Sequence, residues 1–307
     1  MASPKAPWQY WSGILRDTVS LWLERNAFAH AGSLAFYTLF SLAPVMIIAV
    51  AMIGLVLGED AAQGEIVAQL EDAIGIEAAQ AVETAVASTR IEVSGILPTL
   101  IGFSAMLIGA TTVFAQMQQS LNAIWGVRAK PSRNSLLLLL FSRVLSLTIV
   151  LSIGFVLLVS LLLGVALRAV IRFADDWIPL PGALVDGSEF ALSLLVITLL
   201  FGLIFKILPD VVMNWRDVIV GALLTAVLFG LGRYGIATYL TYTAPASAYG
   251  AAGSLVLLLL WVYYSSLILL FGAAFTRVHM EARGRPIVPR NTAVCVRSEI
   301  VEEPTSR

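Results

Sequence analysis

The sequence predicts an all-α integral membrane protein of six transmembrane helices, and three observations carry that prediction. Of its 307 residues 59% are hydrophobic and only 13% charged, where a soluble domain carries about 25% charged residues; the mean hydropathy is +0.88. Six apolar stretches are long enough to cross about 30 Å of hydrocarbon, which takes about 20 residues. Basic residues are unevenly shared between the connections, as topology requires.

The chain opens with Trp8, Trp11, Leu15, Val19 and Trp22 at helical spacing among Arg16, Asp17, Glu24 and Arg25. This pattern suits an interfacial amphipathic helix in the headgroup layer with its tryptophans turned inward. It lacks the uninterrupted apolar core of a cleaved signal. Spans are expected near 33–57, 94–120, 137–167, 190–208, 217–240 and 251–276, in a single membrane domain covering 1–280. Residues 281–307 read as a polar, disordered cytoplasmic tail.

Between the first two spans, Glu59 to Glu92 carries eight acids and one base, Arg90. Ile66, Leu70 and Ile74, then Val82 and Val86, recur at helical spacing on either side of Gly75. The stretch over 60–89 therefore reads as an acidic helical hairpin on the outer face, either a solvated lid or a vestibule that attracts cations. The linkers Arg128 to Arg133 and Lys206 to Arg216 are short and basic. Fourteen Lys and Arg fall on the side holding both termini against three on the other, Arg90, Arg168 and Arg172. Both termini are expected in the cytoplasm.

Polar residues at membrane depth are the candidate functional groups, because an intramembrane charge costs several kcal/mol and usually faces the bundle interior. Arg233 lies about 15 residues into its span, and Ala222, Ala226, Gly230, Arg233 and Ala237 share one narrow small-residue face. The arginine either meets an anion, carbonyl or carboxylate inside, or snorkels. Arg143 falls near a boundary, where snorkelling suits it. Pro44, roughly 16 Å into the first span, should free the Phe40 carbonyl and kink the helix, either for packing or at a transport site. Ser254, Trp261, Ser265, Gly272 and Thr276 form a polar stripe on the last span, explained by packing or by a pathway. His30 and His279 are expected to be interfacial. Asn214, Trp215 and Arg216 suit the headgroup layer, with Asp217 placed to cap the next helix.

No metal cluster, nucleotide loop or catalytic constellation is legible, and Cys295 is the sole cysteine. Neither a cofactor nor an enzymatic activity is expected. The net charge of −1 gives no footprint for nucleic acid. Ser33-Leu34 with Thr38-Leu39 has a faint echo in Ser193-Leu194 with Thr198-Leu199, as two inverted halves would give.

Several local patterns resemble the YihY/BrkB family of bacterial inner-membrane proteins, once labelled ribonuclease BN. They are Ser33-Leu34-Ala35-Phe36-Tyr37 with Ser41-Leu42-Ala43-Pro44, and Gln119-Ser120-Leu121-Asn122-Ala123-Ile124-Trp125. Later come Asn214-Trp215-Arg216 with Gly221, the outer turn Tyr249-Gly250, Leu260-Trp261-Val262-Tyr263-Tyr264-Ser265-Ser266, and Leu270-Phe271-Gly272-Ala273. The resemblance covers almost the whole chain and implies a six-helix, multi-pass protein of the bacterial inner membrane. It departs at Ala274, where the family usually has glutamate; proton coupling through that position is not expected here.

The leading expectation is a transporter or flippase-like protein for an anionic solute or lipid, with Arg233, Pro44, Phe40, Asn122, Trp261 and Ser265 as candidate ligand or translocation residues. Membrane lipids are its expected partners, and a homo-oligomer is compatible with the sequence. The alternative is a non-enzymatic membrane scaffold or envelope assembly factor. Ribonuclease activity is not expected, because the cytoplasmic bases are spread over four segments without a metal cluster.

Overall fold

A computed structural model describes residues 7–57, 96–130, 182–243 and 253–296. The expected third span, the outer hairpin and the Tyr249-Gly250 turn lie outside the described residues. Among those residues the fold is helical, with six helices and one small sheet.

Helix α1 (Pro7–Glu24) and helix α2 (Ala27–Leu57) are separated by a turn in which Asn26 adopts φ 53°. Asparagine tolerates that left-handed geometry better than most side chains. Helix α2 runs unbroken through Pro44. Helix α3 (Ile96–Trp125) stops at Gly126, whose φ of 67° lets its amide return to the Ala123 carbonyl at 3.2 Å. Helices α4 (Gly182–Ile207) and α5 (Trp215–Thr243) flank a short linker. Asn214 caps α5, and Asp217, three residues on, accepts a hydrogen bond from the Asn214 amide at 3.3 Å. The cap expected at Asp217 thus falls at Asn214, and Asp217 in the first turn accepts the Asn214 amide instead.

Helix α6 (Gly253–Ala282) ends in a Schellman motif: Gly284 at φ 70° donates to Glu281 at 2.9 Å, and Arg285 donates to Met280 at 3.1 Å. It packs against α1, α2, α3 and α5, which makes it the hub of the described bundle. Stretches of α4, α5 and α6, namely Phe190–Ile207, Trp215–Gly235 and Leu258–Ala282, are long and apolar enough to cross a membrane. The starts of α2 and α5 and the ends of α3, α4 and α6 gather at one end of the bundle. Arg25, Lys206, Arg277, Arg285 and Arg290 cluster there; it is called the basic end below.

Two expectations are corrected here. The all-α reading misses a two-stranded antiparallel sheet of β1 (Val127–Ala129) and β2 (Ala293–Cys295), with Arg128 opposite Val294. The tail is held rather than disordered as far as Val296. Its amides at Arg290 and Val296 donate to Asp210 and Gly126, and it accepts at Val288 and Thr292 from Val212 and Lys130, all within 2.9 Å. These backbone bonds come from segments far apart in sequence, and local composition does not reveal them.

Helix α1 also divides its apolar residues between two faces. Ile14 is buried against Phe275 and Val278 of α6, and Trp11 stacks on Phe275 and His279 with ring centroids 6.4 and 5.8 Å away, whereas Trp8, Leu15, Val19 and Leu23 are exposed. Exposed apolar residues on one side are what an interfacial helix needs.

Candidate functional site

The most tightly bonded polar group is at the basic end. Asp210, nearly buried in the α4–α5 linker, receives Asn122 Nδ2 at 2.8 Å and donates its own amide to Asn122 Oδ1 at 2.8 Å. Gln118 Nε2 approaches both carboxylate oxygens at 3.4 Å. Asn122 and Gln118 stand one turn apart on α3, so a single helix face holds the carboxylate. Lys206 Nζ bonds the Met213 carbonyl and Arg290 donates to the Lys206 carbonyl at 3.1 Å, closing the linker on itself. A buried carboxylate persists only when its acceptors are satisfied. This knot fastens α3, the α4–α5 linker and the tail together.

A second fastening lies beside it. Asp217, 2% exposed, accepts two hydrogen bonds from Arg285 Nη1 at 2.5 and 2.6 Å. It thereby ties the start of α5 to the segment after α6. Asn214 and Arg216 are exposed, and Trp215 packs its ring edge over Gly202 of α4. Trp215 is therefore a packing residue of the α4–α5 pair as well as a half-exposed aromatic at the bundle's end.

Deeper in the bundle the helices cross through small residues. A side chain at Gly221 would overlap Thr276 Oγ1, and one at Gly272 would overlap Thr225 Oγ1. Each threonine turns its hydroxyl back onto its own helix, Thr225 to Gly221 at 2.6 Å and Thr276 to Gly272 at 2.7 Å. Two Gly-xxx-Thr steps on antiparallel helices interlock, which is how polar residues are accommodated in an apolar crossing. Ala274 is fully buried in the main core.

Beyond this crossing α5 stays against α6, since a side chain at Gly232 would overlap the Tyr264 ring. On the neighbouring face Ala222 and Ala226 are buried, and nothing among the described residues lies within 4 Å of where a side chain at Gly230 would start. Arg233 follows on that face, half-buried, with its guanidinium 5.9 Å from the Tyr234 ring centroid. Trp261 is buried edge-on to Phe229, which in turn meets Phe201, so it is part of an aromatic core. Ser265 Oγ is buried with no hydrogen-bond partner among the described residues.

Between α2 and α3 an open groove of about 300 Å³ is lined by Phe36, Tyr37, Phe40, Ser41, Gly109 and Thr112. Phe40 is 65% exposed and tilts against Phe36 with ring centroids 4.9 Å apart. Ser41 and Thr112 hand their hydroxyls to carbonyls of their own helices, Thr38 at 3.2 Å and Ile108 at 2.6 Å. The lining therefore presents apolar surface. Phe40 stands 13 residues after Ala27, about 20 Å along α2 at 1.5 Å per residue.

The residues predicted from sequence thus fall at separate places: Phe40 at the groove, Arg233 on the opening face of α5, Trp261 and Ser265 on α6, and Asn122 in the basic knot. Asp210, Gln118, Arg285 and the ordered tail escaped sequence reasoning. The signal that could have found Asp210 is a lone acid inside an otherwise basic linker.

A family model described as "Virulence factor BrkB" matches residues 18–293. The chain belongs to the BrkB family. A UPF0761 membrane protein of Mannheimia succiniciproducens is 29% identical over 82% of this chain and 84% of its own length. The UPF0761 membrane protein YihY of Escherichia coli is 29% identical over 58% of each chain. A third relative, from Tolumonas auensis, is 31% identical over 58% of this chain and matches over 56% of its own length. No solved structure matches. The BrkB assignment makes the chain a multi-pass membrane protein and leaves its activity to be inferred from the molecule.

Proposed function

We propose that this BrkB-family protein is a non-enzymatic carrier or flippase-like protein for an amphiphilic anion, a lipid or lipid-like solute, in the bacterial inner membrane. The carrying observation is the groove between α2 and α3, lined by Phe36, Tyr37 and Phe40. An apolar groove of that size on a membrane helix pair fits part of an acyl chain. Arg233, half-buried on α5 some 18 residues after the helix start, is the proposed cation for an anionic head.

The proposed topology is six crossings with both termini cytoplasmic and an acidic hairpin outside. The described helices support it: α3 ends at the basic end while α4 starts at the opposite one, so the chain recrosses between them. The basic end is then the cytoplasmic face. Lipids are the proposed partners, nucleic acid is not, and self-association is compatible with the exposed apolar faces.

Reconstitution tests the reading. Purified protein in liposomes should move an anionic lipid, a lipid precursor or a small anion between leaflets or compartments, and Arg233→Ala should slow it more than Arg233→Lys. A broad screen in which nothing moves rejects it. The scaffold alternative instead acts through the acidic segment 60–89 and the tail, and predicts a co-purifying partner that is lost when residues 60–89 are deleted.

A further inference from the structure

The turn after α3 carries a pair of cations that the basic knot does not use. A side chain at Gly126 would meet two guanidinium groups at once, because Arg25 Nη2 and Arg277 Nη1 each lie 3.1 Å from the position of its Cβ. The two nitrogens are therefore within about 6 Å of each other. They come from opposite ends of the chain, Arg25 from the α1–α2 turn and Arg277 from the last turns of α6. Gly126 itself is fixed by its φ of 67° and by the Val296 amide, which donates to its carbonyl at 2.8 Å.

The two arginines differ in their commitments. Arg277 Nη1 donates to the Ile124 carbonyl at 2.7 Å, closing the end of α3, and its Nε pairs with Glu281 at 3.0 Å. The Arg25 guanidinium makes no hydrogen bond or ion pair among the described residues, although it is partly buried. Burial and then the Arg277 charge lower the Arg25 pKa, while Glu24 and Glu281 act the other way from positions too far to form a bond with it. Glu24 is exposed, and the Glu281 side chain is 45% exposed.

Packing explains Arg277 and leaves Arg25 unexplained. Two guanidiniums brought together repel, and the arrangement is relieved by an oxyanion that takes donors from both. The glycine keeps the floor between them free of a side chain. We propose that Arg25 and Arg277 form, across Gly126, a binding site for a phosphate group, carried on a lipid headgroup or free in solution. The site stands independently of the transport reading, since the groove can carry substrate with this site empty, and this site can fill without transport.

The test uses the full chain in phosphatidylcholine nanodiscs, with and without phosphatidylglycerol. Native mass spectrometry counts retained lipid, and titration calorimetry follows inorganic phosphate binding to the protein in the discs without phosphatidylglycerol. Wild type should retain phosphatidylglycerol or bind inorganic phosphate, and Arg25→Gln should weaken whichever is bound about tenfold. Arg25→Lys should restore part of the loss, and Arg283→Gln, an exposed arginine outside the pair, should change nothing. Phosphatidylglycerol bound without inorganic phosphate assigns the site to a headgroup, and inorganic phosphate bound with the same Arg25 dependence assigns it to a soluble ligand. Binding of neither, or equal binding by wild type and Arg25→Gln, overturns the proposal. Should Arg25→Gln fail to fold, Glu281→Gln gives the second reading: by freeing Arg277 it should tighten binding severalfold, and no change there overturns the site as well.

Discussion

The basic end and the middle of this bundle solve the same problem, holding helices together in a membrane protein, with different chemistry. At the basic end Asp210 and Asp217 are buried and each is met by side chains from another segment, Asn122 and Gln118 for one and Arg285 for the other. Backbone bonds from the tail reinforce both. In the middle, α5 and α6 meet through Gly221, Thr225, Gly272 and Thr276 with no bond between the two helices from either threonine hydroxyl. One end is locked by specific bonds and the other by shape.

The contrast is broken most severely by filling the crossing. Gly272→Leu would drive a side chain into Thr225 and, with Phe205 3.1 Å from the Cβ position, has nowhere to go. Overpacking of this kind costs about 1–3 kcal/mol and sometimes more, and here the backbone itself must separate. Loss of the folded monodisperse species by size-exclusion chromatography in detergent is the expected result.

Next in size is the Asp210 knot. Asn122→Ala removes both 2.8 Å bonds and leaves a buried carboxylate facing only Gln118 at 3.4 Å. Leaving a buried group without its hydrogen-bond partner costs about 1–3 kcal/mol, more where the group is charged. A thermal melt should show a clear drop in Tm, and Asn122→Asp should be at least as damaging because it opposes two carboxylates. A double-mutant cycle with Asp210→Ala should give a coupling energy well above the measurement error.

Asp217→Ala is smaller, about 1–2 kcal/mol, because it removes one end cap and an ion pair whose arginine is 42% exposed. Its diagnostic effect is local. Hydrogen exchange of the tail amides at Arg290 and Val296 should accelerate, while exchange in α6 around Leu270 stays slow. Smallest of all is Trp8→Ala, which alters a residue 73% exposed; stability in detergent should move by less than about 0.5 kcal/mol. In liposomes the same change should reduce helix α1's attachment to the lipid surface.

How far the sequence reveals this molecule follows the same division. The apolar helices are legible because crossing a membrane demands a long run of hydrophobic residues whatever the neighbours are. The start of α5 is legible to within a turn from Asp217 because capping is local, although the cap itself is Asn214. The Asn122–Asp210 knot joins residues 88 apart, and β1 meets β2 across more than half the chain, so no local pattern announces either. Residues 281–296 look like a polar tail because their order comes from backbone hydrogen bonds, which leave no compositional trace. Arg233 is visible as a charge at depth, whereas its half-burial depends on what neighbours the helix meets. Trp261 and Ser265 shared a stripe in sequence, yet the tryptophan's partner is Phe229 on α5.

The transport reading depends on the α2–α3 groove being where an acyl chain passes, and blocking it is the most direct trial. Thr112 lines the groove and spends its hydroxyl on the Ile108 carbonyl of its own helix, so Thr112→Trp fills the space while sacrificing no bond between helices. Transbilayer movement of a fluorescent phosphatidylglycerol is to be measured in proteoliposomes of wild type and Thr112→Trp, with matched melting temperatures. The account predicts rapid movement in the wild type and at least a tenfold slower rate in the filled groove; equal rates in the two would contradict it.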